Sequence, residues 1–470
     1  MEVHCPVARV SSGSIDCKNA RLTVMVPATH RGFGKADCAP LKALALSLLC
    51  SAVAAASAWA AEEPPQPPAA GPIPAPPSAS PAGMSGWFNP ATAPFIPVPE
   101  IAVDPDSGTT LGVLPVWLQT DENHDIRRIF APDLLHSQYF GYGMHARLYA
   151  YPSADEQWSV TGGIKERVER EFDAEYQSGR LRNDLWSFNG SLIYDRDGTP
   201  RFFGIGNESP ATDETNYINQ EQLLQAQIGR NLTHAWQLQY TFREEVVDVL
   251  PGTLARIASI ESRFGRILGV GTNDELLNRV AVVYDTRDDL TVPTHGTEWV
   301  AYAGVASRHG ILNDSLYSEA GIDGRAFWPI ATDTILAAHM ALRYMPSNHS
   351  VPFWALSSIG GETSEVGGEQ PLRGFGAGRF YDRDSFSTSL ELRRTVASFN
   401  AISTKVDLEV TPFVDLGRVF AHANTFPLEQ LHQVYGLGFR GIARPFVVGY
   451  VDVGYGSEGI AAFTGLNYPF

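Results

Sequence analysis

The 470-residue chain is acidic, with a formal net charge of −17, and 11% of its residues are aromatic. It has no basic footprint of the kind that follows a phosphate backbone, which argues against a nucleic-acid partner. All four cysteines (Cys5, Cys17, Cys38, Cys50) precede residue 51, so everything after them folds without disulfides.

Arg31, Lys35 and Lys42 lead into the apolar run ALALSLLCSAVAAASA (43–58), and AWA (58–60) places small residues where a signal peptidase cuts. The pattern predicts a secretory signal peptide over 1–60 rather than a membrane helix, because the run is short and ends before Glu62 and Glu63. Residues 1–24 fit no leader, which makes Met25 the expected start of translation. Leu49 is too bulky for a lipidation site at Cys50. Residues 1–60 hold six Lys/Arg against three Asp/Glu, so removing them leaves −20. The Pro/Ala-rich stretch 62–83 cannot build a core and reads as a semi-rigid spacer. A periplasmic linker is expected over 61–106, too short for an independent domain.

From Gly108 onward the pattern changes to runs of about 9–13 residues with period 2. In KVDLEVTPFVDLG (405–417), Val406, Leu408, Val410 and Val414 share one face, while Asp407, Glu409, Thr411 and Asp415 share the other. SFSTSLELRR (385–394) repeats this, with Glu391 and Arg393 on the polar face. An aliphatic face opposite a row of carboxylates suits a wall between lipid and a wet lumen better than a sandwich core. A large soluble β-protein is the competing reading. About sixteen such strands can be placed, starting with 108–120 and ending with 459–470. Short turns such as 181–184, 231–234 and 331–334 alternate with long connections at 121–139, 196–217, 248–274 and 346–384. The expected fold is all-β: a transmembrane antiparallel barrel over 107–470, with a long loop between the eleventh and twelfth strands.

Five pieces occur in order: YDTRDDLTVPTHG (284–296), LRGF (372–375), LELRR (390–394), PFVDLGRVF (412–420) and the terminal GLNYPF. Together with FFGIGNES (202–209), they resemble the bacterial surface antigen family of outer-membrane barrels, the superfamily of the BamA and TamA assembly proteins and the two-partner secretion transporters. The resemblance covers most of residues 100–470. It implies a bacterial outer-membrane location and a role in outer-membrane protein assembly, polypeptide translocation or lipid transport. The implied partners are outer-membrane lipids, the barrel assembly machinery during biogenesis, and a polypeptide or lipid client. Such proteins usually carry polypeptide-transport domains before the barrel, and none is expected here. That departure leaves a passive pore or structural surface antigen as the alternative.

The loop 346–384 holds Arg373 within a glycine cluster, followed by Gly374 and Phe375. It is long enough to fold back into the lumen, where Glu391 and Asp415 point inward from neighbouring strands. A guanidinium can bind two carboxylates through its planar fork, and in the family resembled here the motif arginine contacts acids at the positions of Glu391 and Asp415. The resemblance thus implies a lock that seats the loop; the alternative is an exposed arginine with pairings of about 1 kcal/mol or less. Pro115 in the expected first strand cannot donate to a ladder, which suggests a weak seam with the last strand. Tyr468 and Phe470 read as an interfacial aromatic girdle and as the terminal signal for assembly. Asp285, Arg287 and Asp288 read as a polar turn, and the histidines, His145 and His432 among them, as solvated. There is no G-x-S-x-G elbow, no H-E-x-x-H and no phosphate loop, so neither an enzyme nor a cofactor or metal is expected.

Overall fold

The computed structural model describes residues 95–470, apart from 122–125, 309–314, 349, 402–403, 422–427, 444–445 and 466–467. The signal peptide, the Met25 start and the Pro/Ala spacer lie outside the described residues. About eighteen antiparallel strands form one large sheet that nearly closes into a barrel. They are β1 (Phe95–Asp104), β2 (Gly108–Thr120), β3 (Ile126–Ser137), β4 (Gly141–Ala150), β5 (Glu156–Lys165) and β6 (Arg170–Ser178). Next come β7 (Trp186–Asp197), β8 (Thr215–Asn231), β9 (Trp236–Pro251), β10 (Gly271–Asp285), β11 (Gly296–Ser307) and β12 (Ser315–Ala331). The wall finishes with β13 (Thr334–Asn348), β14 (Asp384–Ala401), β15 (Thr404–Phe420), β16 (His432–Ala443), β17 (Phe446–Gly456) and β18 (Gly459–Gly465).

Each strand pairs with the next in sequence. The connections 198–214, 252–270 and 349–383 therefore share one rim, while the entry to β1 and the C-terminus share the other. Longer loops outside and short turns on the periplasmic side make the first rim the outer one. Leu408, Leu437, Phe439, Val451 and Val453 are exposed on the outer face, while Glu409, Asp415, Arg440 and Asp452 are buried on the lumen face. Trp158 pairs with Tyr176, and Tyr284 pairs with both Trp236 and Trp299, giving the periplasmic rim its aromatic belt.

Two strands in this wall were not expected. β1 occupies part of the expected linker 61–106 and moves the start of the barrel from residue 107 to Phe95. β3 occupies much of the expected loop 121–139. Both contain proline (Pro97, Pro99, Pro132), which reads as linker or loop because it removes a ladder donor. Pro115 consequently sits in the second strand, paired with Pro97 of β1. The β2–β3 ladder is interrupted between Val113↔Leu134 and Trp117↔Phe130, where the register sets Pro115 opposite Pro132. Pro97, Pro115 and Pro132 fall in one line across β1–β3, and the strand that faces β18 is β1. Among the described residues no backbone ladder joins β1 to β18; Val103 N–H donates to Thr464 Oγ1 at 2.9 Å instead.

The C-terminus also departs from expectation. β18 stops at Gly465, and the last residues turn into the lumen rather than joining the girdle. Tyr468 lies under the Arg393 guanidinium at 3.8 Å, and Phe470 stacks on His339 at 5.2 Å. Phe470 packs with Phe327 and Ala337. Cation–π contact and burial among lumen side chains offer both rings more than a lipid interface would.

Candidate functional site

The long loop lies between β13 and β14 and folds into the lumen. Inside it, Ser357–Ile359 pairs with Phe380–Asp382. Its tip is a tight turn in which Gly374 and Phe375 N–H both donate to Leu372 C=O. This turn drives Arg373 towards the wall formed by β14–β17, where its side chain is fully buried.

Arg373 meets three carboxylates there. Its Nε donates to Asp415 Oδ2 at 2.9 Å and its Nη2 to Asp415 Oδ1 at 2.8 Å, a bidentate fork. Its Nη1 donates to Glu391 Oε1 at 2.6 Å and to Asp452 Oδ2 at 2.8 Å. Its backbone N–H adds a bond to Asp415 Oδ2 at 3.0 Å, and the guanidinium lies 3.7 Å from the Phe413 ring centroid. Burial alone would favour loss of its proton, but Asp415 and Glu391 outweigh this and hold its pKa well above the ordinary arginine value.

The floor beneath the tip is cleared by glycine. A Cβ on Gly374 would sit 2.7 Å from Val434 Cγ2 and 2.8 Å from the Gly456 nitrogen. The Arg373 carbonyl lies against Gly454, and the Phe413 ring occupies the space over Gly436. Phe375 is buried with Ile359, Leu372, Phe380, Phe413, Val419 and Val434. Gly374 and Phe375 thus give the loop close approach and an apolar anchor on either side of the charge contact.

Of the residues singled out from sequence, Arg373, Gly374, Phe375, Glu391 and Asp415 come together here. Pro115, Tyr468 and Phe470 do not join the tip, although Tyr468 approaches it through Arg393. Three participants were missed. Asp452 is the third carboxylate; Arg440 Nη2 reaches Glu391 Oε1 at 3.0 Å and Asp452 Oδ2 at 3.2 Å; Arg393 Nε reaches Glu391 Oε2 at 2.8 Å. The inward positions of Arg440 and Asp452 could be read from the alternation in 432–456, which places Gly436, Gly438, Arg440, Asp452, Gly454 and Gly456 on the lumen face, while Arg393 shares the polar face of 385–394 with Glu391. Elsewhere, Arg287 forms a fork with Asp285 at 3.0 and 2.9 Å and also meets Glu298 at 2.9 Å. His145 and His432 are not simply solvated. His145 Nδ1 lies 3.0 Å from Asp133, and His432 stacks on Phe380 at 3.9 Å, because both rings face packed lumen rather than open water.

Residues 155–443, more than half the chain, match the Omp85 superfamily domain. The chain belongs to the Omp85 superfamily. It is therefore a bacterial outer-membrane barrel, of a superfamily of non-enzymatic assembly and translocation barrels. This Omp85 barrel is similar in structure to BamA from Haemophilus ducreyi lacking POTRA domains 1–3, with TM-score 0.47 and 13% identity over 82% of this chain and 76% of that one. CdiB from Escherichia coli gives TM-score 0.39 and 9% identity over 78% of this chain, and CdiB from Acinetobacter baumannii gives 0.39 and 13% over 80%. The chain spans 61% and 59% of those two proteins. No curated protein matches its sequence.

Proposed function

We propose that this Omp85 barrel assists the insertion or translocation of polypeptide at the outer membrane through the seam between β1 and β18, with Arg373 as the lock that keeps the loop seated. The observation that carries this reading is the unladdered seam. Backbone groups in hydrocarbon must be satisfied, and an unpaired strand edge is a template for another chain. A barrel that leaves one such edge without a ladder has a place where an incoming strand can pair. The bidentate, fully buried Arg373 contact supports the lock, since truncating one side of it strands a charge. Outer-membrane lipid and the assembly machinery that inserts the barrel are its other proposed partners, and the inward C-terminal aromatics keep their proposed part as the terminal signal.

A passive pore is the second reading, favoured by the lumen between β5 and β9. That side is lined by Gln157, Gln177, Asn189, Gln227, Gln237 and Gln239 around cavities of about 320 and 460 Å³. One experiment separates the two. Val103→Cys with Thr464→Cys tethers the seam, and the absence of cysteine after residue 50 leaves no competing thiol. The seam reading expects newly exported outer-membrane polypeptides to stop reaching their folded form in cells relying on the tethered protein, with recovery on reduction. The pore reading expects no such defect and unchanged conductance in planar bilayers.

A further inference from the structure

The loop makes a second set of contacts that the Arg373 site does not include, and these straddle the seam. Asp106 lies in the turn between β1 and β2, and its Oδ2 accepts a hydrogen bond from Ala377 N–H of the loop at 2.7 Å. Glu458 lies in the turn between β17 and β18. Two residues along the loop, Arg379 donates to it from Nε at 3.0 Å to each carboxylate oxygen and from Nη2 at 2.6 Å. Arg373 grips β14–β17, all on one side of the seam. Ala377 and Arg379 grip the turns on opposite sides. Two residues of chain span at most about 7 Å, so these bonds can coexist only while the two turns stay close.

The surroundings make Arg379 a built clamp rather than a surface pairing. It is 2% exposed, and its guanidinium lies 4.1 Å from the Phe203 ring centroid and 4.4 Å from that of Phe380. Its remaining donors reach Ser209 Oγ at 3.0 Å and Ser209 C=O at 2.8 Å. Ser209 belongs to the loop 198–214, which also reaches the β1 side: Arg201 Nη2 donates to the Asp106 carbonyl at 2.8 Å. Two loops thus bridge the same gap. Among the described residues the wall beneath them has no ladder between β1 and β18, so the bridge supplies at the outer rim the cohesion that backbone pairing supplies elsewhere.

We propose that segment 377–379 is a staple that holds the outer end of the β1–β18 seam closed, and that withdrawing it lets the seam part there. The staple is distinct from the Arg373 lock. It would hold in the isolated barrel whether or not the seam passes a client, so its failure leaves the proposed function standing and the converse.

The test uses the purified full-length barrel in lipid vesicles, with Ser107→Cys and Ser457→Cys carrying nitroxide labels on the two turns. Double electron–electron resonance reads the distance between them, and heat-modifiability confirms a folded barrel. The parent should give one narrow distribution. Arg379→Ala and Glu458→Ala should each lengthen it by at least one strand spacing, about 4.8 Å. Asp106→Ala should do the same, while Asp106→Asn, which keeps an acceptor for Ala377 N–H, should not. Glu458 is an exposed turn residue, so Glu458→Ala decides the matter if Arg379→Ala fails to accumulate. Distributions in folded Glu458→Ala that superimpose on the parent overturn the staple.

Discussion

Arg373→Ala removes four side-chain hydrogen bonds to three carboxylates, but those carboxylates are not left equally exposed to the loss. Glu391 keeps Arg393 at 2.8 Å and Arg440 at 3.0 Å, and Asp452 keeps Arg440 at 3.2 Å. Asp415 loses the only guanidinium that reaches it among the described residues. The cost is therefore that of stranding one buried carboxylate, about 3–5 kcal/mol, or roughly two to three and a half orders of magnitude in the folding equilibrium. The structure also says which second change should compensate. Asp415→Asn neutralises the stranded charge, so its combination with Arg373→Ala should recover about 2–3 kcal/mol of the summed single losses. Glu391→Gln should recover less than about 1 kcal/mol, because it leaves Arg393 and Arg440 without their shared partner. Arg373→Lys should be only partly tolerated, since an ammonium cannot make the fork. Urea unfolding of the barrel in vesicles measures the energies, and surface protease cleavage within 349–383 reports the loop. Equal coupling to Glu391 and Asp415, or no loss in Arg373→Ala, would mean that Arg373 does not hold the loop through Asp415.

Gly374→Ala should overpack the tip against Val434 and Gly456 and cost about 1–3 kcal/mol, read as a lower urea midpoint and faster loop cleavage. Loop seating should also depend on pH: burial pushes Glu369 up to about 8 and the turn residue Asp106 up to about 7. Carboxylates with raised pKa values in the folded state hold their protons more tightly there, so the stability they contribute is lost as pH rises from about 4 through about 8. Protease cleavage of the loop should accordingly increase between pH 5 and pH 9, and Glu369→Gln should flatten that rise.

The lumen face of β14 and β15 was legible because period 2 sorts Glu391, Arg393, Glu409 and Asp415 from their aliphatic neighbours within a single strand. The same rule puts Arg440 and Asp452 inward. It cannot say that they stand at the height of the loop tip, because height between strands is set by register and shear, which no single strand encodes. The Pro-containing strands β1 and β3 were hidden for a different reason. Proline weakens a ladder locally, and near a seam a weak ladder is tolerated, so residues that speak against a strand in isolation here sit in one. The terminal aromatics were misplaced because composition cannot distinguish a ring facing lipid from one stacked on Arg393 or His339. The family pieces were legible together, whereas the closure of the seam by Asp106 and Glu458 depends on turns with no motif of their own.

The edge between β1 and β18 is the proposed place where another chain meets this barrel. Photoreactive residues at Val103 on that edge, and at Val280 on the lipid-facing wall of β10, test it in intact cells during a pulse of newly exported polypeptide. Polypeptide adducts at Val103 should rise and fall with the pulse, and none should form at Val280. Equal labelling at both positions, or adducts with lipid alone at Val103, would contradict it.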